Sequence, residues 1–158
     1  MATKLIGSTQ AYNATTSPVS FLRAAKFTAL FTGTMNEFKI ECNGNGNVKV
    51  AVYADNAGTI AGRLWVQNTS QAVAAGWNTI TVSPGLLIVK DTVYWLGCNN
   101  DTANIIRYLT PGGTMGYVAA DYTTVGCPAS PAGLTPRSYE YMMQGWENYP
   151  GRNNAMMF

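Results

Sequence analysis

The acidic side chains are the residues of this chain that could do chemistry, because the sequence contains no histidine. Without histidine, Ser-His-Asp and Cys-His catalysis and histidine-ligated metals are excluded. A glycosidase would need two carboxyl groups facing each other across a cleft. Glu37 and Glu41 lie on one face of a predicted strand, a spacing more typical of a solvated outer face. We therefore predict no catalytic residues and no enzyme. The acidic residues are Glu37, Glu41, Asp55, Asp91, Asp101, Asp121, Glu140 and Glu147.

Asp55 and Asn56, together with Asp91 or Asp101, are the candidate ligands for a cation. Their oxygens would suit calcium, which usually takes several oxygen ligands including charged ones. Only Asp55 and Asn56 are adjacent, and the same two residues with Gly58 close behind are typical of an Asx-turn. The turn interpretation is favoured, and we predict no bound metal and no cofactor.

The three cysteines, Cys42, Cys98 and Cys127, show no CxxC spacing, so they do not predict a zinc site. Cys42 and Cys98 fall on or near core-facing positions of predicted strands. The favoured interpretation is that both are small buried hydrophobic residues. The alternative is a disulfide between them, which would require an oxidising compartment.

The aromatic side chains are the remaining candidates for contact with a ligand or partner. Sugar binding needs exposed aromatic faces beside polar groups. Trp77 is on the outward register of its strand, and Trp95 is expected in the core. The sequence does not decide whether Trp65 faces outward or into the core. The tyrosines suited to a protein–protein contact are Tyr117, Tyr122, Tyr139, Tyr141 and Tyr149. The residues predicted to contact a ligand or partner are Trp65, Trp77, Tyr122, Met156, Met157 and Phe158.

These side chains must be positioned by β-strands. Apolar and polar residues alternate over 37–42 and 48–53, and the Asn-Gly turn at 43–47 between them predicts a β-hairpin with one shared buried face. Residues 54–62 and 119–137 are predicted to be loops. Many short strands with Gly, Asn and Pro turns and no convincing helix predict an all-β fold, an antiparallel β-sandwich of the jelly-roll type. We expect an N-terminal arm or edge strand over 1–20, the sandwich over 20–147 and a tail over 148–158.

The composition narrows the classes of function. Charged residues make up 11% of the chain, the net charge is +2, and the Lys and Arg residues are scattered singly, which argues against nucleic-acid binding. No apolar run approaches a membrane span. A surface rich in Asn, Thr, Ser, Gly and Tyr is weakly protected against self-association, so we expect a homo-oligomer such as a trimer. The first residues show no signal peptide, which predicts synthesis in a host cytoplasm. Combined with a composition that looks extracellular, this predicts a protein of the virion exterior.

Residues 46–58, 75–80 and 92–96 resemble a widespread class of β-sandwich modules. These modules occur as repeats in microbial surface proteins and as single units in phage structural proteins, and some are similar to carbohydrate-binding modules. Residues 119–122 and 145–146 also fit the pattern, so the resemblance covers roughly residues 20–147. It implies the fold but does not specify one function, because such modules serve as adhesins, sugar binders and plain spacers alike. It carries over no site residues.

The function expected from the sequence is that of a non-enzymatic virion structural protein. The expected type is a phage capsid decoration (cement) protein or another exterior capsid or fibre component. Its expected partners are other copies of itself and the major capsid protein. The alternative is a carbohydrate-binding or adhesin module, which would present Trp65 or Trp77 beside polar residues.

Overall fold

The computed structural model describes residues 1–15 and 18–148, and these residues form β-strands joined by turns and loops. This confirms the all-β prediction. Within that part of the chain there is no helix long and apolar enough to cross a membrane. The strands are β1 (Ala2–Gly7), β2 (Ala14–Thr15), β3 (Phe21–Thr28), β4 (Gly33–Cys42), β5 (Gly46–Asn56), β6 (Thr59–Val73), β7 (Gly76–Ile88), β8 (Val93–Asn100), β9 (Arg107–Leu109), β10 (Thr114–Ala119), β11 (Thr135–Arg137), β12 (Glu140–Tyr141) and β13 (Met143–Asn148).

Two antiparallel sheets have the strand order of a jelly roll. The four-stranded sheet has the order β1-β13-β4-β7, and the six-stranded sheet contains β3-β8-β5-β6 with β10 and β11 added beyond β3. If the small strands are set aside, β1, β3, β4, β5, β6, β7, β8 and β13 are the first to eighth strands. The sheets then read first-eighth-third-sixth and second-seventh-fourth-fifth, which is the jelly-roll arrangement. A third, small sheet has the order β12-β9-β2.

The predicted hairpin over residues 37–53 is wrong. Strand β4 pairs with β7 and β13, whereas β5 pairs with β6 and β8, so the turn between them carries the chain from one sheet to the other. The core residues of β4 and β5, such as Phe38 and Val50, therefore belong to opposite layers of one core. Alternation reports which side of a strand is buried, but it does not report whether the next strand lies beside it or opposite it.

A tight hairpin occurs instead where residues 54–62 were predicted to form a long loop. Asn56 pairs with Thr59, and the two residues between them, Ala57 and Gly58, have φ angles of 50° and 87°. Positive φ at both central positions is the type I′ arrangement that matches the twist of paired strands. Asp55 supports the turn, because its Oδ2 accepts a hydrogen bond from the Gly58 amide at 2.8 Å.

Strand β7 continues through Pro84 and Gly85, two residue types that usually interrupt a strand. Proline is tolerated there for two reasons. Strand β7 is at the edge of the four-stranded sheet, and its pairing with β4 shifts register between Met35 and Glu37.

The main core lies between the two sheets. Phe38 of β4 and Trp65 of β6 stack across it with ring centroids 6.5 Å apart. Cys42 and Cys98 are buried in this core as free thiols, so the interpretation as small hydrophobic residues is confirmed and the disulfide alternative is wrong.

A second apolar layer lies on the outer side of the six-stranded sheet. There the segment 120–134 covers side chains such as Tyr53 and Trp95. Two buried polar residues of the sheet fasten it: Lys49 Nζ donates to the Tyr122 carbonyl at 2.6 Å, and Asn99 Nδ2 donates to the carbonyl oxygens of Ala120 and Gly126 at 2.7 and 2.8 Å. This outer face is therefore closed, while the outer face of the four-stranded sheet is not.

Candidate functional site

A pocket with a volume of about 330 Å³ lies near the end of the sandwich where β3 begins and β8 ends. It is bounded on one side by β3 and β10 and on the other by the residues around β11 and β12. We call it the aromatic pocket. Its lining consists of Pro18, Phe21, Arg23, Tyr117, Arg137, Tyr139 and Tyr141.

Strand alternation explains how the first wall of the aromatic pocket is built. Phe21 and Arg23 project from the same face of β3, and Tyr117 of β10 lies directly opposite Arg23 in the register. The Phe21 and Tyr117 rings meet edge to face, with centroids 5.8 Å apart. Further along the same face, Ala25 and Met115 belong to the main core. The pocket therefore continues the space between the strands beyond Ala25 and Met115, where the main core ends on this face.

Arg23 brings a buried positive charge to this pocket. Arg23 is buried, with only 2% of its surface exposed to solvent. One terminal nitrogen donates to the Phe21 carbonyl at 3.0 Å and to Asn100 Oδ1 at 2.7 Å, and the other donates to the Pro18 carbonyl. All three acceptors are neutral, and the salt bridges found among the described residues do not include Arg23. Buried charges are normally paired with an opposite charge, so this arrangement is unusual.

Arg137 is the exposed cation of the pocket. Its guanidinium lies over the Tyr117 ring at 5.2 Å from the centroid and donates to the Tyr117 hydroxyl at 3.0 Å. On the facing wall, Tyr139 packs against Tyr108 with ring centroids 4.6 Å apart. Burial raises the pKa of Tyr141, and the nearby Arg23 partly opposes that shift.

The charges of the lining are all of one sign. Two arginines line the aromatic pocket, and none of the residues that line it in the described structure is acidic. A concave site with apolar walls and a single sign of charge favours ligands of the opposite charge. The groups present are ring faces, hydroxyls and guanidinium donors, which are groups that bind and orient a ligand.

Trp65 and Tyr122, which we predicted to contact a ligand or partner, are buried in the structure. Trp65 is in the main core, and Tyr122 lies beneath Lys49, whose Nζ is 4.7 Å from the ring centroid. The Tyr122 hydroxyl donates to Ser70 Oγ at 2.8 Å. Neither side chain presents an open ring face, because both help to hold the fold together.

Trp77 is exposed, as its outward register predicted, with 44% exposure on the outer face of the four-stranded sheet opposite Glu41. It does not line the aromatic pocket. The predicted contact residues Met156, Met157 and Phe158, and also Tyr149, lie outside the described residues.

Three residues of the pocket, Tyr117, Tyr139 and Tyr141, were among the tyrosines predicted to suit a protein–protein contact. Pro18, Phe21 and both arginines were not predicted. A signal for Arg23 was present, because the alternating positions 21, 23, 25 and 27 hold Phe, Arg, Ala and Phe. An arginine in the inward register of an otherwise apolar face is rare and indicates a buried polar role.

The carboxylates of Glu37 and Glu41 do not face each other across a cleft. Both lie on the outer face of β4, with Lys39 between them. Glu41 pairs with Arg107 at 2.8 Å, and Glu37 accepts a hydrogen bond from Asn148 Nδ2 at 2.6 Å. Each carboxylate is held by a different partner, as a structural role requires.

The candidate calcium ligands are hydrogen-bonded within the protein. Asp55 accepts hydrogen bonds from the Gly58 amide and from Trp95 Nε1, each at 2.8 Å. Asp101 accepts from the amide and the side chain of Asn47 at 2.8 and 2.7 Å. Across residues 1–15 and 18–148, no three acidic or cysteine side chains cluster in a way that could hold a metal.

The end of the sandwich opposite the aromatic pocket exposes apolar side chains. The loop from β3 to β4 and the end of β7 are neighbours there, since Leu87 pairs with Thr34 and the Lys90 amide donates to Thr32 Oγ1 at 2.9 Å. Lys90 and Asp91 form the turn beside this surface. We call it the apolar tip, and it consists of Leu30, Phe31, Leu87 and Val89.

No known protein family matches this sequence, and no curated protein matches it. The all-β antiparallel architecture is established by the structure alone. The resemblance to phage structural and carbohydrate-binding modules stays a prediction.

Proposed function

We propose that the protein is a non-enzymatic structural module of a virion exterior and that it acts by binding other molecules. The apolar tip is the observation that carries this proposal. Phe31 and Leu87 are 54% and 61% exposed, and Leu30 and Val89 of the same two neighbouring segments are also exposed. Exposed apolar side chains of this size in neighbouring segments are typical of a protein–protein contact. The low charge of the chain supports the same conclusion, because few like charges oppose association.

The occupant that we propose for the apolar tip is the same tip of further copies of this chain, grouped around a symmetry axis as in a trimer. A tip formed from one loop and the end of a neighbouring strand is small, so each contact would be weak. Closed symmetry would multiply it, because each copy then makes two contacts. The carboxylates support a non-catalytic role, since Glu37, Glu41, Asp55 and Asp101 are each engaged in structural hydrogen bonds.

Sedimentation velocity tests this proposal directly. The wild-type chain is expected to associate in a concentration-dependent way, and a Phe31→Ser/Leu87→Ser variant is expected to stay monomeric. Trp77→Ser is the matched control, because it removes an exposed aromatic ring elsewhere and should leave association unchanged. A wild-type protein that is monomeric at high concentration would overturn the proposed contact, as would a tip variant that associates as strongly as wild type.

A second candidate function is carbohydrate binding, which the aromatic pocket favours. Trp65 is buried, but the pocket could offer a sugar the rings of Phe21, Tyr117 and Tyr139. Aromatic faces beside hydrogen-bond donors are the usual means of sugar recognition. A glycan panel tests this function: binding that is lost in Tyr139→Ala and kept in Trp77→Ala supports it, and an absence of any glycan binding contradicts it.

A further inference from the structure

We propose that the aromatic pocket binds an acidic sugar, that is, a pyranose bearing a carboxylate, with Arg137 pairing directly with that carboxylate. The inference deepens the second candidate function and rests on it. It specifies the class of sugar, the residue that selects it and the place where it binds.

The positive charge of the aromatic pocket is not balanced by its lining residues. Arg23 and Arg137 line the aromatic pocket, and neither forms a salt bridge with any of the described residues. The acidic residue nearest to Arg137 in the sequence is Glu140, which lies between Tyr139 and Tyr141 but does not line the pocket. Its carboxylate lies beside Gly113, since Oε2 is 3.2 Å from the position that a Cβ on Gly113 would take, and Gly113 is also outside the lining. The positive charge of the pocket is therefore left for an anion from outside.

The two arginines have different roles. Arg23 is buried, and three of its five N–H donors already bind the Phe21 carbonyl, Asn100 and the Pro18 carbonyl. It supplies a fixed positive charge behind the site. Arg137 is exposed and uses two donors, one on Tyr117 and one on the Pro136 carbonyl. Its remaining donors can form the paired hydrogen bonds with which a guanidinium binds a carboxylate.

The aromatic walls distinguish a sugar from a simple anion. A small inorganic anion would need donors alone, whereas this pocket carries the rings of Phe21, Tyr117, Tyr139 and Tyr141 around the two cations. Such rings can pack against the C–H face of a pyranose, and tyrosine hydroxyls can bind its hydroxyl groups. The volume of about 330 Å³ lies at the small end of ligand pockets, which suits one or two sugar rings.

Isothermal titration of the full-length chain at low salt tests the proposal with four probes: methyl glucuronide, N-acetylneuraminate, methyl glucoside and acetate. At least one of the two acidic sugars is expected to bind with a dissociation constant of about 1 mM or tighter. Binding of the glucuronide indicates a uronate-containing polysaccharide as the source, and binding of N-acetylneuraminate indicates a terminal sialic acid. Either supports the proposal.

Two variants locate the contact. Arg137→Gln should weaken binding of the acidic sugar by at least about tenfold, and Arg137→Lys should be intermediate because it keeps the charge and loses the paired geometry. Trp77→Ala is the matched control and should bind as wild type. Because Arg137 is exposed, the thermal midpoint should not change in either variant, which separates a lost contact from a lost fold.

The contrary outcomes are distinguishable. If the neutral glucoside binds as tightly as the acidic sugars and Tyr139→Ala abolishes both, the carbohydrate function stands and the acidic specificity is overturned. Acetate binding as tightly as the sugars would show a simple anion site and overturn the proposal. If no sugar binds, both the proposal and the second candidate function fail.

Discussion

The two ends of this sandwich are made by the same strands, but they differ in what they bury. All five buried polar or charged residues of the described chain, Ser8, Arg23, Lys49, Asn99 and Asn100, lie in the half nearer the aromatic pocket. The apolar tip has none of them and instead exposes apolar side chains. The pocket end is therefore held in part by hydrogen bonds to buried polar groups, whereas the tip is held by its hydrogen-bonded segments and by buried apolar residues such as Met35 and Ile88.

This difference indicates a division of roles. Buried polar groups that are hydrogen-bonded, as Arg23 and Lys49 are, make a site rigid, and removing one takes a donor away from its partners. Such a site is suited to recognising a small ligand with defined geometry. An exposed apolar surface tolerates change and contributes area, which suits a weak contact between proteins. Four experiments, in order of expected effect, would sharpen or break this contrast.

The largest effect is expected from Arg23→Met at the pocket end. The substitution removes the hydrogen bonds that Arg23 donates to the Pro18 and Phe21 carbonyls and to Asn100 Oδ1, and it should lower the free energy of unfolding by about 3 kcal/mol. Leu87→Ser at the tip is the matched comparison and should change it by less than about 0.5 kcal/mol. Urea unfolding measures both. Equal effects at the two ends would break the contrast.

The second effect is a loss of stability in alkali that originates at the pocket end. Burial raises the pKa of Cys98, which lies opposite Arg23, to about 11. The pKa of Cys42 is raised to about 12, mainly by burial and to a smaller extent by the nearby Cys98. The native state thus keeps these thiols protonated while the unfolded chain ionises them from about pH 9, so stability is full below that pH and falls above it.

The size of the alkaline effect should be about 1 kcal/mol for each buried thiol at about pH 10. Unfolding measured across this range should show a shallower decline in Cys98→Ala than in wild type, even if the variant is less stable at neutral pH. An unchanged slope in the variant would mean that Cys98 does not contribute.

A smaller effect is expected in acid from Asp101, which also lies at the pocket end. Burial alone would raise the pKa of Asp101, but hydrogen bonds from Asn47 and Thr102 outweigh it and hold the pKa below its usual range. The stabilisation is therefore present above about pH 4 and is lost as the pH falls through the native pKa. The carboxylate is largely exposed, so the contribution should stay below about 1 kcal/mol. Asp101→Asn should remove this part of the acid dependence, and an identical acid transition in the variant would contradict the assignment.

The smallest effect is expected from Trp77→Ala on the outer face of the four-stranded sheet. The ring is 44% exposed and lies outside both the aromatic pocket and the apolar tip. Stability should change by less than about 0.5 kcal/mol, and neither sugar binding nor self-association should change. A loss of sugar binding in this variant would move the ligand site to the sheet face and break the contrast between the ends.

More of the fold than of the site could be predicted, because the alternation that indicates a strand is visible in a short stretch of sequence. Alternation in β4 and β5 correctly indicated two half-buried strands. Their pairing partners could not be predicted, because pairing depends on contacts between residues far apart in the sequence. The two strands were therefore predicted to form one hairpin, although they lie in opposite sheets. The jelly-roll order follows only once that crossing is known.

The candidate site shows the same limit. Tyr117, Tyr139 and Tyr141 could be named as contact residues from their type, but their meeting with Arg23 depends on β10 lying beside β3. Trp65 and Tyr122 were predicted as contacts and proved buried, since nothing in the local sequence shows that Phe38 stacks on the one and Lys49 covers the other.

The most direct measurement is an NMR titration of the isotopically labelled chain with methyl glucuronide and N-acetylneuraminate, following the backbone amides. The pocket assignment predicts that at least one of these sugars shifts the signals of Phe21, Tyr117, Arg137 and Tyr139, while those of Phe31 and Leu87 at the apolar tip stay in place. If neither sugar shifts any signal, or if the shifts centre on the tip or on Trp77, the assignment of ligand binding to the aromatic pocket is contradicted.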